Sequence, residues 1–514
     1  MDMESSTAAT LPHLNAEFLR SHPELVPGAT SHPLPEKVLQ FGAGVFLRGF
    51  VDWMVDGMNR KGLFRGSVVV VPSITPEMVT RLNQQSGAYT HLARGLENGK
   101  LVEEKSIITS ISRGIDPYTQ FAKYLQCAHN ADLRYIVSNT TEAGIVYRAE
   151  DKQSDQPPTS FPAKLTLLLA ERYKAFRGDL TKGFVMLPCE LIERNGDTLK
   201  KTVLETAANW KLDPKIVEWI ETANVFTNTL VDRIVTGFPR DEIQTLWQES
   251  GYIDELFNTS EVFHLWVIEG PTALPEELPL REAGFNVIFT DDMKPYRDRK
   301  VRILNGAHTT TVLAAYLAGK DGVGECMKDP LIRGFMKQAI YDEVIPTLTL
   351  PKNELEAFAA AVFERFSNPF IRHALLSISL NSVSKYKARV LPSVEQYIAI
   401  RGQVPARLTF GLAALITFYR GTVLQDGALI GHRDGKEYRI QDELRVLETF
   451  ADLWRHFDGS TAGVKDLTDA VLRREDWWGK DLRQIRGMSL AVNSYVESIL
   501  KLGMRASLEQ VSSY

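Results

Sequence analysis

Cysteine is scarce. The 514 residues hold three, Cys127, Cys189 and Cys326. They lie far apart with no CxxC pair, which excludes a disulfide framework and a thiolate zinc site and points to a reducing compartment. The ten histidines never fall at HxxxH or a comparable ligand spacing, so no bound catalytic metal is expected. Long apolar runs are also missing. No segment approaches about twenty uninterrupted apolar residues, and the first thirty are polar and proline-dotted with no signal-peptide core. The expectation is a cytoplasmic chain with no membrane span. Nor is there a large excess of one charge: 59 Lys and Arg against 64 Asp and Glu leave a net charge of −5. That argues against a dedicated nucleic-acid surface and leaves room for a local basic cleft serving an acidic small molecule.

What is present suits a globular chain of two or three domains, with 44% hydrophobic and 24% charged residues. Lys37 to Phe41 is a short apolar run that ends in Gly42-Ala43-Gly44, and a helical pattern follows through Phe46, Phe50 and Met54. Strand, glycine turn and helix open a dinucleotide-binding fold, although Leu47 stands where the third glycine of GxGxxG belongs; the other reading is a tight turn. The valine run of Phe64 to Pro72 predicts a parallel strand buried on both faces. Leu133 to Ser138 predicts another, running into Asn139-Thr140-Thr141-Glu142-Ala143-Gly144, polar residues where an open sheet binds its ligand; a loop with a helix cap would read the same. The second strand ends in Pro72-Ser73, with no acidic residue to hold an adenosine ribose, so that tip does not choose between NAD and NADP.

Arg148 to Phe161 reads as a surface loop, and helices and a strand alternate from Ala163 to Thr222. Val225 to Thr236 sets Asp232 and Arg233 beside an apolar stripe, a helix-capping charge pair or part of a site. The proline- and glutamate-rich stretch from Gly270 to Gly284 is where the first domain hands over. After Lys320 the texture becomes all-helical, with apolar residues at helical spacing and prolines as punctuation.

At the join lies RKVRILNGAHTTTVLAAYLAG, residues 299–319. On a helix advancing about 100° per residue, Lys300, Asn305 and His308 share a sector. A lysine pressed into an apolar wall has its pKa drawn from about 10.4 towards 7–8 and becomes a proton donor and acceptor at neutral pH. Asn305 offers an amide to a developing alkoxide, and His308 can fix a neighbouring hydroxyl. Gly306 removes a side chain where a flat ring could approach. The same triplet also reads as a surface lysine, a helix asparagine and a satisfied core histidine. Farther on, Lys385, Lys387 and Arg389 cluster near a turn, either recognising an anionic or polyhydroxylated substrate or forming a solvated face.

FGAGVFLRGF, NTTEAG, PCELIERNG, NTLVDRI and KPYRDRKVRILNGAH ahead of a helical end together resemble the long-chain mannitol dehydrogenase family of polyol and hexonate oxidoreductases, from about Leu34 to Arg505. The resemblance implies a Rossmann-type α/β N-terminal domain at 34–292 after an extension at 1–33, an all-α C-terminal domain at 293–514, and a site at the cleft between them. It implies metal-independent, NAD-dependent hydride transfer in hexuronate breakdown, by a monomer or small homo-oligomer. Lys300 takes the general acid/base role, with Asn305 and His308 holding the reacting oxygen and adjacent hydroxyls. Lys385 matches a substrate-contacting lysine and Asp232 lies near the site, while Lys387, Arg389 and Asn195 complete the candidate substrate set. The cofactor set is Phe41, Gly42, Ala43, Gly44, Phe46 and Arg48 from the first turn, Ser73 from the second strand, and Asn139, Thr140, Thr141 and Glu142 from the third. Two positions depart from the pattern: Glu190-Leu191 replaces the Asp-Asn pair of polyol-specific members, and Ser377 replaces an arginine. The substrate stays open among a hexuronate, a free polyol and a sugar phosphate, and a catalytically silent nucleotide-binding regulator is the rival from another class.

Overall fold

A computed structural model describes residues 11–28, 33–72, 76–141 and 143–513. The chain divides into two units. The first runs to Gly95 and resumes over Lys100–Met293, and the second comprises Leu96–Gly99 and Lys294–Tyr514.

The first unit is built on a six-stranded sheet with the spatial order Ile111–Gly114, Ser67–Val71, Glu36–Phe41, Tyr135–Ser138, Val185–Pro188, Val225–Phe226, every pairing parallel. Counted along the chain this is the order 3-2-1-4-5-6 of a doubly wound dinucleotide-binding sheet. Its valine run shows why both faces are covered. Val68 and Val70 enter one core with Phe50, Met54 and Trp266, whereas Val69 and Val71 enter the other with Leu165, Leu168 and Trp219. Side chains alternate across a strand, so an unbroken apolar strand serves a sheet with a layer on each side.

Three features lie outside the sequence reading. Residues 225–237 form short strands, Val225–Phe226, Asn228–Asp232 and Val235–Gly237, in place of a capped helix. The long strands Tyr89–Glu97 and Lys100–Ile108 meet at Asn98-Gly99, with φ of 52° and 74°. The second unit is not all-helical, because Val423–Gln425, Ala428–Arg433 and Lys436–Ile440 make an antiparallel meander. Its two turns, Asp426-Gly427 and Asp434-Gly435, also have φ of 47° to 76° at both residues, the left-handed pair that closes a two-residue hairpin.

The rest of the second unit is helical. Gly306–Leu317 and Ala406–Phe418 are buried nearly all round and pack on each other. A Cβ on Gly411 would stand 3.1 Å from the Thr310 carbonyl oxygen, so glycine is what lets the two axes approach. No helix among the described residues is long and apolar enough to cross a membrane.

Candidate active site

In the first unit the sheet reverses its winding between Glu36–Phe41 and Tyr135–Ser138, and the loops leaving their carboxyl ends form the candidate cofactor cradle. Gly42 has φ +126°, and a Cβ there would lie 2.9 Å from the Asn139 carbonyl oxygen; only glycine suits that position. A Cβ on Gly44 would meet nothing within 4 Å. The helix Val45–Arg48 starts at Gly44 with no side chain capping its amides. A close-fitting glycine followed by an open one with uncapped amides fits the pyrophosphate of a dinucleotide.

Two buried carboxylates brace this cradle. Gln40 Nε2 donates to the Gly42 carbonyl at 3.1 Å and to Asp52 Oδ2 at 3.1 Å, and burial pushes the Asp52 carboxyl up to about 7. Glu190 accepts from Ser138 Oγ at 3.0 Å and from the Thr140 amide and hydroxyl at 3.0 and 2.9 Å. Burial raises the pKa of Glu190 against those bonds. Glu190 thus fastens the strand ends together, while the neighbouring Leu191 is exposed.

Several expected cofactor contacts are used otherwise. Phe41 turns its ring into the core, with its centroid 4.8 Å from that of Phe161 and 6.1 Å from that of Tyr124. Arg48 is buried, donating to the Leu256 carbonyl at 2.6 Å and lying over the Tyr89 ring; it is a core strut, and burial lowers its pKa. Ala43 is packed in the core, and Phe46 is stacked on Phe50 at 5.0 Å. Asn139 donates through Nδ2 to the Cys189 carbonyl at 3.0 Å. Thr141 takes φ 100°. Ser73 and Glu142 lie outside the described residues.

Asn195 is also corrected. Its Nδ2 donates to the carbonyls of Pro188, Glu190 and Thr229, and its Oδ1 accepts the Gly196 and Thr229 amides. Fully buried, it has no capacity left for substrate. Asp232, also buried, ends the strand Asn228–Asp232.

In the second unit the expected helix around Lys300 is interrupted. Lys294–Arg299 is α-helical, Lys300–Asn305 is one π-helical stretch, and Gly306–Leu317 is α-helical again. A π-turn bonds each residue to the fifth beyond it, so Asn305 lies one turn below Lys300. The α-helical step of three then sets His308 below Asn305. One π-step and one α-step therefore bring the three positions towards one side of the helix. Gly306 has another cause than the one expected: a Cβ there would lie 3.3 Å from the Arg389 carbonyl oxygen, so the glycine admits a neighbouring helix.

The Asn305 carboxamide makes no hydrogen bond to any described residue, whereas the Asn305 carbonyl accepts the Thr309 hydroxyl at 3.0 Å. His308 is packed against Phe366 at 4.2 Å and His373 at 5.6 Å between ring centroids, and its buried Nδ1 has no partner. Burial, aided by His373, Arg389, Arg365 and Lys385, pushes its pKa down to about 3, so the ring is neutral at any physiological pH.

Lys385 donates to the Ile378 carbonyl at 2.8 Å. Arg389 reaches the Thr309 hydroxyl at 3.5 Å. Burial lowers the pKa of each. They are four residues apart on the helix Ser382–Arg389 and share a face. Lys387 does not: it is exposed, its chain end 3.4 to 3.5 Å from where a Gly479 Cβ would stand. His373, beside His308, was not singled out by sequence reasoning, because nothing in its spacing ties it to a histidine 65 positions earlier.

Family models of the mannitol dehydrogenase Rossmann domain and the mannitol dehydrogenase C-terminal domain match residues 36–282 and 292–500. The chain belongs to the mannitol dehydrogenase family. It is 48% identical over 476 residues to a protein named altronate oxidoreductase from Pectobacterium carotovorum, covering 92% of this chain and 96% of that one. It is 46% identical over 475 residues to one of the same name from Escherichia coli O6:K15:H31, again covering 92% and 96%. The fold is shared with substrate-free D-sorbitol dehydrogenase, at a TM-score of 0.81 and 21% identity over 96% of this chain and 100% of that one. It is shared too with Pseudomonas fluorescens mannitol 2-dehydrogenase, solved with NAD and D-mannitol, at a TM-score of 0.67 and 22% identity over 97% and 99%.

Proposed function

We propose that this chain is an NAD-dependent oxidoreductase that interconverts D-altronate and D-tagaturonate. The observation that carries the reading is the succession Lys300, Asn305, His308 along one π-to-α passage of helix, where no described residue bonds the buried His308 Nδ1 or the Asn305 carboxamide. Sequence relatives named altronate oxidoreductase support the substrate.

NAD, when bound, accepts the hydride from the carbinol carbon. The work of the chain's own residues is to handle the proton and the oxygen. In oxidation Lys300 takes the hydroxyl proton, and in reduction it returns one to the ketone oxygen. Asn305 donates to that oxygen as negative charge grows on it, an effect worth about 3 kcal/mol in comparable oxyanion sites. His308, held neutral, gives one N–H to a substrate oxygen and does not compete with Lys300 as an acid. Lys385 and Arg389, on one helix face, supply positive charge for the carboxylate.

A panel of ketoses and ketouronates with NADH and NADPH tests this reading. D-Tagaturonate with NADH is expected to give the highest kcat/KM, above fructuronate, fructose and sugar phosphates. Preference for fructose would remove the carboxylate from the account, and preference for fructuronate would change the epimer.

A further inference from the structure

In the first unit the buried His91 and the partly buried His264 are occupied. His91 Nε2 shares a hydrogen bond with Ser260 Oγ at 2.9 Å, and His264 Nε2 accepts the Asn286 amide at 3.0 Å. The pair His308 and His373 differs. Their rings meet edge to face at 5.6 Å, and no ring nitrogen of either is hydrogen-bonded to a described residue, although His308 Nδ1 is buried. A buried polar atom such as His308 Nδ1 is ordinarily satisfied and needs an explanation, and the half-buried His373 beside it has ring nitrogens open to a ligand.

The place of His373 is fixed by the backbone on both sides. Its carbonyl accepts the Val323 amide at 3.0 Å, and the Leu375 amide donates to the Asp321 carbonyl at 2.8 Å. This pinning holds the ring against His308, the residue that lies within electrostatic reach of Lys385 and Arg389.

We propose that His373 is a substrate-contacting, specificity-determining residue that holds the hydroxy-acid chain beyond the reacting carbon. The proposal rests on the altronate reading and deepens it. A six-carbon keto acid with its ketone beside a terminal hydroxymethyl group carries its carboxylate at the far end, so a site that grips only the reacting oxygen leaves most of the chain unheld. Asn305 and His308 serve the reacting end, and Lys385 and Arg389 offer charge for the other. His373 adds an uncharged donor next to His308, suited to an intervening hydroxyl or a carboxylate oxygen.

The test compares His373→Phe, which keeps a ring against His308 and removes both nitrogens, with His373→Asn, which restores a shorter donor. Steady-state oxidation of D-altronate by NAD is measured for the wild type and both variants, alongside melting temperatures. The Phe variant is expected to raise KM for altronate about tenfold, as loss of one hydrogen bond does, with kcat less affected and KM for NAD within about twofold; the Asn variant recovers part of the loss. If the Phe variant does not fold, the same split read in the Asn variant decides. An unchanged altronate KM would overturn the assignment of His373 and leave the altronate reading standing. An equal rise in KM for altronate and NAD would mark a structural role and overturn it too. A wild type that oxidises uncharged alditols and not altronate would overturn the altronate reading, and this proposal with it.

Discussion

In the proposed function Lys300, Asn305 and His308 divide their labour by chemical type: a proton carrier, an oxyanion donor and a neutral hydrogen-bonding ring. Asn305→Ala removes the donor and leaves the helix intact, so it is expected to lower kcat by about 10²–10³ with a smaller change in KM, measurable by steady-state altronate oxidation. His308 yields a stability prediction. Its folded pKa of about 3 lies below the ordinary value near 6.5, so the unfolded chain binds the proton first. The stability it contributes is present above pH 6.5 and is lost as pH falls through that value towards 3. His264, pushed to about 4 by burial, acts in the same direction. Thermal melts at pH 7 and pH 5, where few carboxylates yet titrate, should show a fall that His308→Gln makes shallower. At this scale the sequence disclosed residue types and not their directions. The residue types of Lys300, Asn305 and His308 were legible, but the π-turn that spaces them was not. Arg48, Asn195 and Lys387 were misplaced because the Leu256 carbonyl, the Thr229 backbone and Gly479 come from distant parts of the chain.

Among the elements, the π-helical Lys300–Asn305 is the one that spaces the proposed catalytic residues, and periodicity could not reveal it, since a single five-residue step leaves no repeat to read. The hairpins were legible in principle. Asn98-Gly99, Asp426-Gly427 and Asp434-Gly435 are the dipeptides that favour left-handed two-residue turns, and the last two mark the meander that contradicts an all-helical second unit. The first βα turn was legible from its glycines, but its bracing was not, because Gln40 reads as an ordinary strand residue. That brace titrates. With a folded pKa near 7 against an ordinary 3.8, Asp52 contributes stability that is fully present below pH 3.8 and is lost as pH rises through about 7. Asp52→Asn keeps an oxygen to accept from Gln40 and removes the charge. Its melting temperature is therefore expected to exceed the wild type's at pH 8, with the gap closing at pH 5.

At the scale of the whole molecule, composition set expectations and identified little: three cysteines, no long apolar run and a near balance of charge argued against disulfide scaffolds, membrane spans and nucleic-acid surfaces. The doubly wound sheet followed from valine-rich strands and a glycine turn, and the helical second unit from apolar spacing. The family pattern then joined motifs separated by hundreds of residues, which no local rule does. The central claim is that one amine carries the proton. It is tested most directly by comparing the wild type with Lys300→Ala in the reduction of D-tagaturonate by NADH, with NADH binding followed by fluorescence. The account predicts a fall in kcat of about 10²–10⁴ with NADH affinity unchanged. Turnover near the wild-type rate in the alanine variant would contradict it.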